Sequence, residues 1–165
     1  MPPGPATTTI FCCVCAAVAL QGADHGPWRI RAVQRVCAQR WRQARPCRLP
    51  AKLAFLQALQ ERVDALLSSG RQVVAVGDFN IAAEPRDVHS AITWDTLYAQ
   101  SELNALHQLT STLTDTWRQL HPEQGGVYSV WDEKTSARAF NVGLRIDYAL
   151  CSKQLLITCT RVRFY

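Results

Sequence analysis

Apolar residues in this chain recur with two different periods, and the change of period marks its elements. From Pro50 to Ser69, Leu53, Leu56, Leu59, Val63, Leu66 and Leu67 follow helical spacing and form one face, which predicts an amphipathic helix. Pro50 suits a first turn, where no backbone N–H is needed, and Gly70 stands just past the end. Val73-Val74-Ala75-Val76 follows at once, a short β-branched run with the composition of a buried strand. A helix, a glycine and a buried strand in that order predict a helix-covered strand parallel to a neighbour.

The flanking segments are less regular. Thr8–Val18 is rich in β-branched and small apolar residues and predicts a core strand, preceded by a disordered Pro- and Gly-rich stretch over residues 1–7. The apolar run Thr9–Leu20 is too short for a membrane-spanning helix, which needs about 20 residues. Met1-Pro2-Pro3-Gly4-Pro5 lacks the positive charge of a secretory leader, which favours the strand over a signal peptide. Trp94, Leu97, Leu103, Leu106 and Leu109 predict one or two short helices within Ala91–Thr114. Leu113–Arg118 reads as a helix end before an exposed turn at His121-Pro122. Gly126–Trp131 has strand composition, and Ser136–Leu144 reads as a polar loop. From Leu144 to Cys151 the residues alternate as one strand, with Arg145 and Asp147 on the same face, and Leu155–Tyr165 is strand-like again. The whole predicts an α/β domain.

Charge changes this picture in one place. The chain has 165 residues, a 48% hydrophobic fraction, a formal charge of +5 and a pI of about 9.0, which suits one domain with a real core and admits a polyanionic partner. Much of the positive charge lies in Trp28–Arg48, where Arg29, Arg31, Arg35, Arg40, Arg42, Arg45 and Arg48 occur without an acid. Close like charges repel, so a solvated, poorly ordered insertion is favoured over a phosphate-binding arm, although Trp28 and Trp41 keep nucleic acid open. Of the seven Cys, Cys12 and Cys15 are spaced as Cys-x-x-Cys, but no second such pair accompanies them, and the set reads as reduced, buried or incidental thiols of an intracellular protein, not as a zinc site.

Candidate chemistry sits where the Val73–Val76 strand runs out. Gly77-Asp78-Phe79-Asn80 places a carboxylate and a carboxamide two positions apart at the edge where open α/β sheets bind ligands. By itself it also suits a turn. A second stretch gives it meaning. Gly77-Asp78-Phe79-Asn80-Ile81-Ala82 with Asp87 resembles the Gly-Asp-Leu-Asn-x-Ala segment, with its following Asp, of the exonuclease III-type AP endonucleases. Trp131, then Ala137-Arg138-Ala139-Phe140-Asn141-Val142-Gly143-Leu144-Arg145-Ile146-Asp147-Tyr148, is similar to that family's Trp, Ala-Arg-x-x-Asn-x-Gly-x-Arg-Leu-Asp-Tyr segment. Leu66-Leu67-Ser68-Ser69-Gly70 is closer to the second eukaryotic type than to the first.

The resemblance covers Pro50–Ser152 and, loosely, Thr8–Val18. It implies a partial four-layer α/β sandwich, two mixed sheets flanked by helices, occupying residues 8–165 with an Arg-rich insertion at 28–48. It implies Mg²⁺- or Mn²⁺-dependent hydrolysis of DNA 5′ to abasic sites in base excision repair, with 3′–5′ exonuclease activity, by a nuclear monomer without membrane contact; mitochondria or plastids are the other compartments. Asp78 would orient or deprotonate the attacking water, Asn80 would bond the phosphate or Asp78, and both would serve the metal. Asp147 would orient a catalytic His. Trp131, Arg138, Asn141 and Arg145 would face DNA.

Several family features have no counterpart here. The metal-binding Glu and the Ser-Asp-His segment are not in this sequence, Ala83 stands where many members have His, and Leu144 where many have Trp. The expectation is therefore a central fragment with little or no nuclease activity by itself. Other readings are a different phosphoesterase of the same superfamily, a retrotransposon endonuclease, or a non-catalytic nucleic-acid binder.

Overall fold

The computed structural model describes residues 14–21, 29–36 and 48–156. Strands β1 (Val14–Gln21) and β2 (Arg29–Val36) precede the long helix α1 (Arg48–Ser68) and strand β3 (Gln72–Asp78). Then come α2 (Gln100–Thr112), β4 (Thr114–Asp115), α3 (Thr116–Leu120), β5 (Val130–Trp131), β6 (Gly143–Leu144), β7 (Asp147–Cys151) and α4 (Lys153–Leu156). One sheet has the order β2-β1-β3-β7-β4 and the other is the pair β5-β6. The α/β class and the two-sheet arrangement follow the expectation.

The predicted helix forms, and its end is fixed by local bonds. Gly70 takes φ 74°, its N–H donates to Leu67 O at 2.9 Å, and the Arg71 N–H donates to Leu66 O at 3.1 Å. This paired cap turns the chain straight into β3. Phe55, Leu56, Leu59, Val63 and Leu66 of α1 and Leu103, Leu106 and Leu109 of α2 are buried with Val73 and Ala75 of β3 and Tyr148 and Leu150 of β7. The core thus lies between the two long helices and one face of the sheet. The other face of β3 carries Val74, Val76 and Asp78, and Val76 is 40% exposed there.

Several expectations change. β3 is antiparallel to both neighbours, not parallel to one. β1 lies between β2 and β3 and runs against each, so the strands joined through α1 are parallel but are not bonded to one another. Arg29–Val36, expected in a poorly ordered insertion, is a strand paired to β1 along its length; residues 37–47 lie outside the described residues. The first strand reaches Gln21, beyond its expected end, while residues 1–13 lie outside. Gly126–Trp131 yields only a two-residue strand, Val130–Trp131, and Gly126 stands in a left-handed turn at φ 73°. Leu144–Cys151 is not one strand: it breaks at Arg145 and Ile146, leaving β6 on β5 and β7 on β3 and β4. Leu155 and Leu156 end a short helix, and residues 157–165 lie outside. Thr116 and Trp117, expected beside an exposed turn, are buried. Among the described residues no helix is long and apolar enough to cross a membrane.

Leu106 has no exposed surface and sits at the centre of this core. Leu106→Ala should cost about 2–5 kcal/mol of unfolding free energy, measured by urea denaturation.

Candidate active site

Asp78 closes β3, and its register partner in β7 is Asp147. Directly opposed residues of an antiparallel pair project to the same face, about 4.5–5.5 Å apart at Cβ, so like charges there repel. Burial raises the Asp78 pKa from 3.8 to about 6; the Asn80 hydrogen bond opposes that rise and the Asp147 charge adds to it. A carboxyl near neutrality at the end of a central strand can accept a proton in catalysis.

Asn80 is bent back over this pair. Its φ is 53°, a left-handed conformation that Asn tolerates better than most side chains, and its N–H donates to Asp78 Oδ1 at 2.8 Å. The neighbouring Phe79 N–H donates to Ile146 O at 2.9 Å, and its ring meets Tyr148 edge to face at 5.6 Å. The Asn80 Nδ2 is buried and, although the side chain lies close enough to the Asp78 carboxylate to lower the Asp78 pKa, it makes no hydrogen bond of good geometry. A buried amide donor without a partner is costly, and such groups are found where a ligand completes the site.

Lys52 was not foreseen. From α1 it donates to Asn80 O at 2.9 Å and to Glu102 Oε1 at 2.6 Å, and the other oxygen of Glu102 accepts the Ala99 N–H at the start of α2. The two helices of the core are thereby tied to the bend that aims Asn80. Its positive charge also lowers the Asp78 pKa. A lysine in the first turn of an amphipathic helix reads as solvated, and only the folded chain brings it to a residue 28 positions away.

Arg145 does not face DNA, contrary to expectation. It is 1% exposed, because the strand break turns it inward. Its Nε and Nη2 donate to the two oxygens of Asp87 at 2.8 and 2.9 Å, and its Nη1 donates to Asp115 at 2.8 Å. Its backbone N–H donates to Asp87 O at 2.8 Å, and the Trp117 and Tyr148 rings lie 5.1 and 4.7 Å from the guanidinium carbon. Burial opposes the guanidinium charge, but the Asp87 hydrogen bonds and the Asp115 charge more than offset it and the pKa lies above its ordinary value. Arg118 adds a bond to Asp87 Oδ1 at 2.5 Å. Nor does Arg145 share a polar site with Asp147. Asp87 was visible as part of the first motif, but its partners were not.

The remaining expected residues gather on the β5–β6 side. Trp131 Nε1 donates to Asn141 Oδ1 at 3.2 Å, Asn141 Nδ2 donates to Gly126 O at 2.9 Å, and Arg138 lies over the Trp131 ring at 4.8 Å. Arg138 and Asn141 are exposed. Ser129 joins this hairpin to the acidic pair: its Oγ accepts the N–H groups of Ile146 and Asp147, both at 3.1 Å. Asp78, Asn80 and Asp147 offer oxygen donors of the kind that hard divalent cations take. Among the described residues, no three His, Cys, Asp or Glu side chains cluster as a metal site.

A helix-covered sheet that gathers acidic and amide side chains at the end of its central strands defines the class of α/β proteins with a polar site at the strand ends. The chain belongs to the Endonuclease/Exonuclease/phosphatase family, whose model matches residues 3–164. It is 32% identical over 131 residues to human DNA-(apurinic or apyrimidinic site) endonuclease 2, covering 73% of this chain and 25% of that protein. Among solved structures, the Xenopus laevis APE2 catalytic domain matches with a TM-score of 0.66 at 25% identity, over 87% of this chain and 47% of that one. The 3′-5′ exonuclease NExo from Neisseria meningitidis matches with a TM-score of 0.60 at 30% identity, over 68% of this chain and 44% of that one. The chain spans a quarter of the human relative it matches.

Two outcomes follow from the electrostatics. Because the fold raises the Asp78 pKa, the stability it contributes is fully present below the ordinary value of 3.8 and is lost as pH rises through about 6. With a chelator present, Asp78→Asn should therefore melt higher than the native chain at pH 8, by a margin that shrinks through pH 6 and vanishes near pH 4. Arg145→Met leaves Asp87 and Asp115 without their main partner and should cost about 3–5 kcal/mol in chemical denaturation.

Proposed function

We propose that this chain carries the Asp/Asn part of a DNA-repair nuclease site that hydrolyses the phosphodiester 5′ to an abasic site. The observation that carries the reading is the facing pair Asp78 and Asp147, roofed by Asn80 with an unpartnered amide donor. The family match and the relatives named as AP endonucleases and exonucleases support it.

In this mechanism Asp78 accepts a proton from the attacking water. A pKa of about 6 leaves it mostly ionised at neutral pH yet close enough to neutrality to hold the proton. Asn80 donates its free amide N–H to a phosphate oxygen as negative charge develops there, and it adds no charge of its own. Lys52 holds the backbone that aims this donor. Asp147, fixed by Ser129, keeps negative potential beside Asp78 and orients an imidazole where the complete site has one. Asp78 and Asn80 would hold Mg²⁺ or Mn²⁺, which when bound supplies charge neutralisation at the phosphate. Arg138 and Asn141 meet the DNA backbone, and Trp131 lies beneath Arg138. The protein acts as a monomer in the nucleus.

One labelled abasic duplex tests the reading. A chimaera in which residues 48–156 replace the matching segment of the human relative should cleave it with Mg²⁺, and Asp78→Ala should slow cleavage by roughly 10²-fold or more. Binding without any metal-dependent cleavage by the chimaera would instead support a non-catalytic binder.

A further inference from the structure

Phe140 is 75% exposed, while the other exposed large apolar side chains among the described residues reach at most 40%. It ends the short 3₁₀ turn Ala137–Phe140, and nothing about that turn is loose. The turn is bracketed by Ser136 at φ 54° and Asn141 at φ 52°, left-handed positions that most side chains avoid. The Val142 N–H closes on Ala137 O at 2.9 Å over a buried Ala137. Asn141 is held on both sides by Trp131 and Gly126. Beneath it, Gly143 admits no larger residue, since a Cβ there would lie 2.7 Å from Val130 O and 2.8 Å from Trp131 Nε1. The fold therefore holds an aromatic ring out into water on a fixed platform.

The surroundings indicate what the ring meets. Asp132, Glu133, Lys134, Thr135, Ser136 and Arg138 are all exposed, so Phe140 is a single ring in a polar rim and not part of a broad apolar patch such as proteins use to dock. Arg138 brings a cation over the Trp131 ring, suited to a phosphate backbone. The π-face of one aromatic residue matches the face of one nucleic-acid base. Through Ser129 the same hairpin is fixed to the strand that carries Asp147.

We propose that Phe140 is a DNA-binding residue that stacks on a base left unstacked at the lesion. This rests on the reading of the chain as acting on abasic DNA, and the test separates the two. Fluorescence anisotropy is measured for the 165-residue chain on a duplex with a tetrahydrofuran abasic analogue and on the same duplex intact. Phe140→Ala should weaken binding to the abasic duplex by about 10-fold, leave the intact duplex nearly unaffected and keep the native melting temperature; Phe140→Trp should retain affinity. With 2-aminopurine placed opposite or beside the lesion, the native chain and Phe140→Trp should quench its fluorescence at one of these positions, and Phe140→Ala should not. Equal binding by Phe140→Ala, equal loss on both duplexes, absence of quenching at every position, or a change confined to self-association on sizing overturns the inference while leaving the nuclease reading intact. Failure of the native chain to bind either duplex overturns both.

Discussion

The fork of Arg145 onto Asp87 and Asp115 is the interaction on which the rest of the site depends. It joins three separate stretches of chain: the loop that leaves β3, the start of α3, and the break between β6 and β7. Each carboxylate is buried or nearly so, and each would be costly there alone. The break is what lets β6 pair with β5 while β7 pairs with β3, and so it sets Asp147 opposite Asp78. Tyr148 packs against the guanidinium and reaches back to Ile81 O and the Ala83 N–H, which fixes the segment just past Asn80. The charged centre is thus structural, and it leaves the neighbouring acidic pair free for chemistry.

That division of labour explains the contrast between the two groups of acids. Asp87 and Asp115 are matched by cations and hydrogen bonds. Asp78 is partly buried and faces another carboxylate, and although the backbone and side chain of Asn80 and the charge of Lys52 oppose it, its pKa rises. A fold selected for stability alone would not keep this arrangement, nor the unpartnered Asn80 amide above it. Both features make sense if a cation and a phosphate complete them.

Legibility in the sequence followed the range of each interaction. The helix up to Gly70, the strand after it and the polar exit at Asp78 and Asn80 are set by neighbours a few positions apart, and the apolar period and a capping glycine revealed them. Asp147 was legible through its motif. The inward turn of Arg145 was not, because its partners lie 58 and 30 positions away and strand alternation alone puts it beside Asp147. Lys52 was hidden for the same reason. The antiparallel sheet could not be read either, since α1 does join two parallel strands and only the insertion of β1 between them separates the pair.

The Arg-rich strand gains a meaning from its place in the sheet. Among the described residues β2 is one outer strand and the two-residue β4 is the other. An outer strand is a template on which a second molecule can grow its own sheet. β4 is too short to serve, whereas β2 is eight residues long and has β1 on one side only. Among the described residues the sheet is therefore open to lateral extension on the β2 side and nearly closed to it on the β4 side by the shortness of that strand.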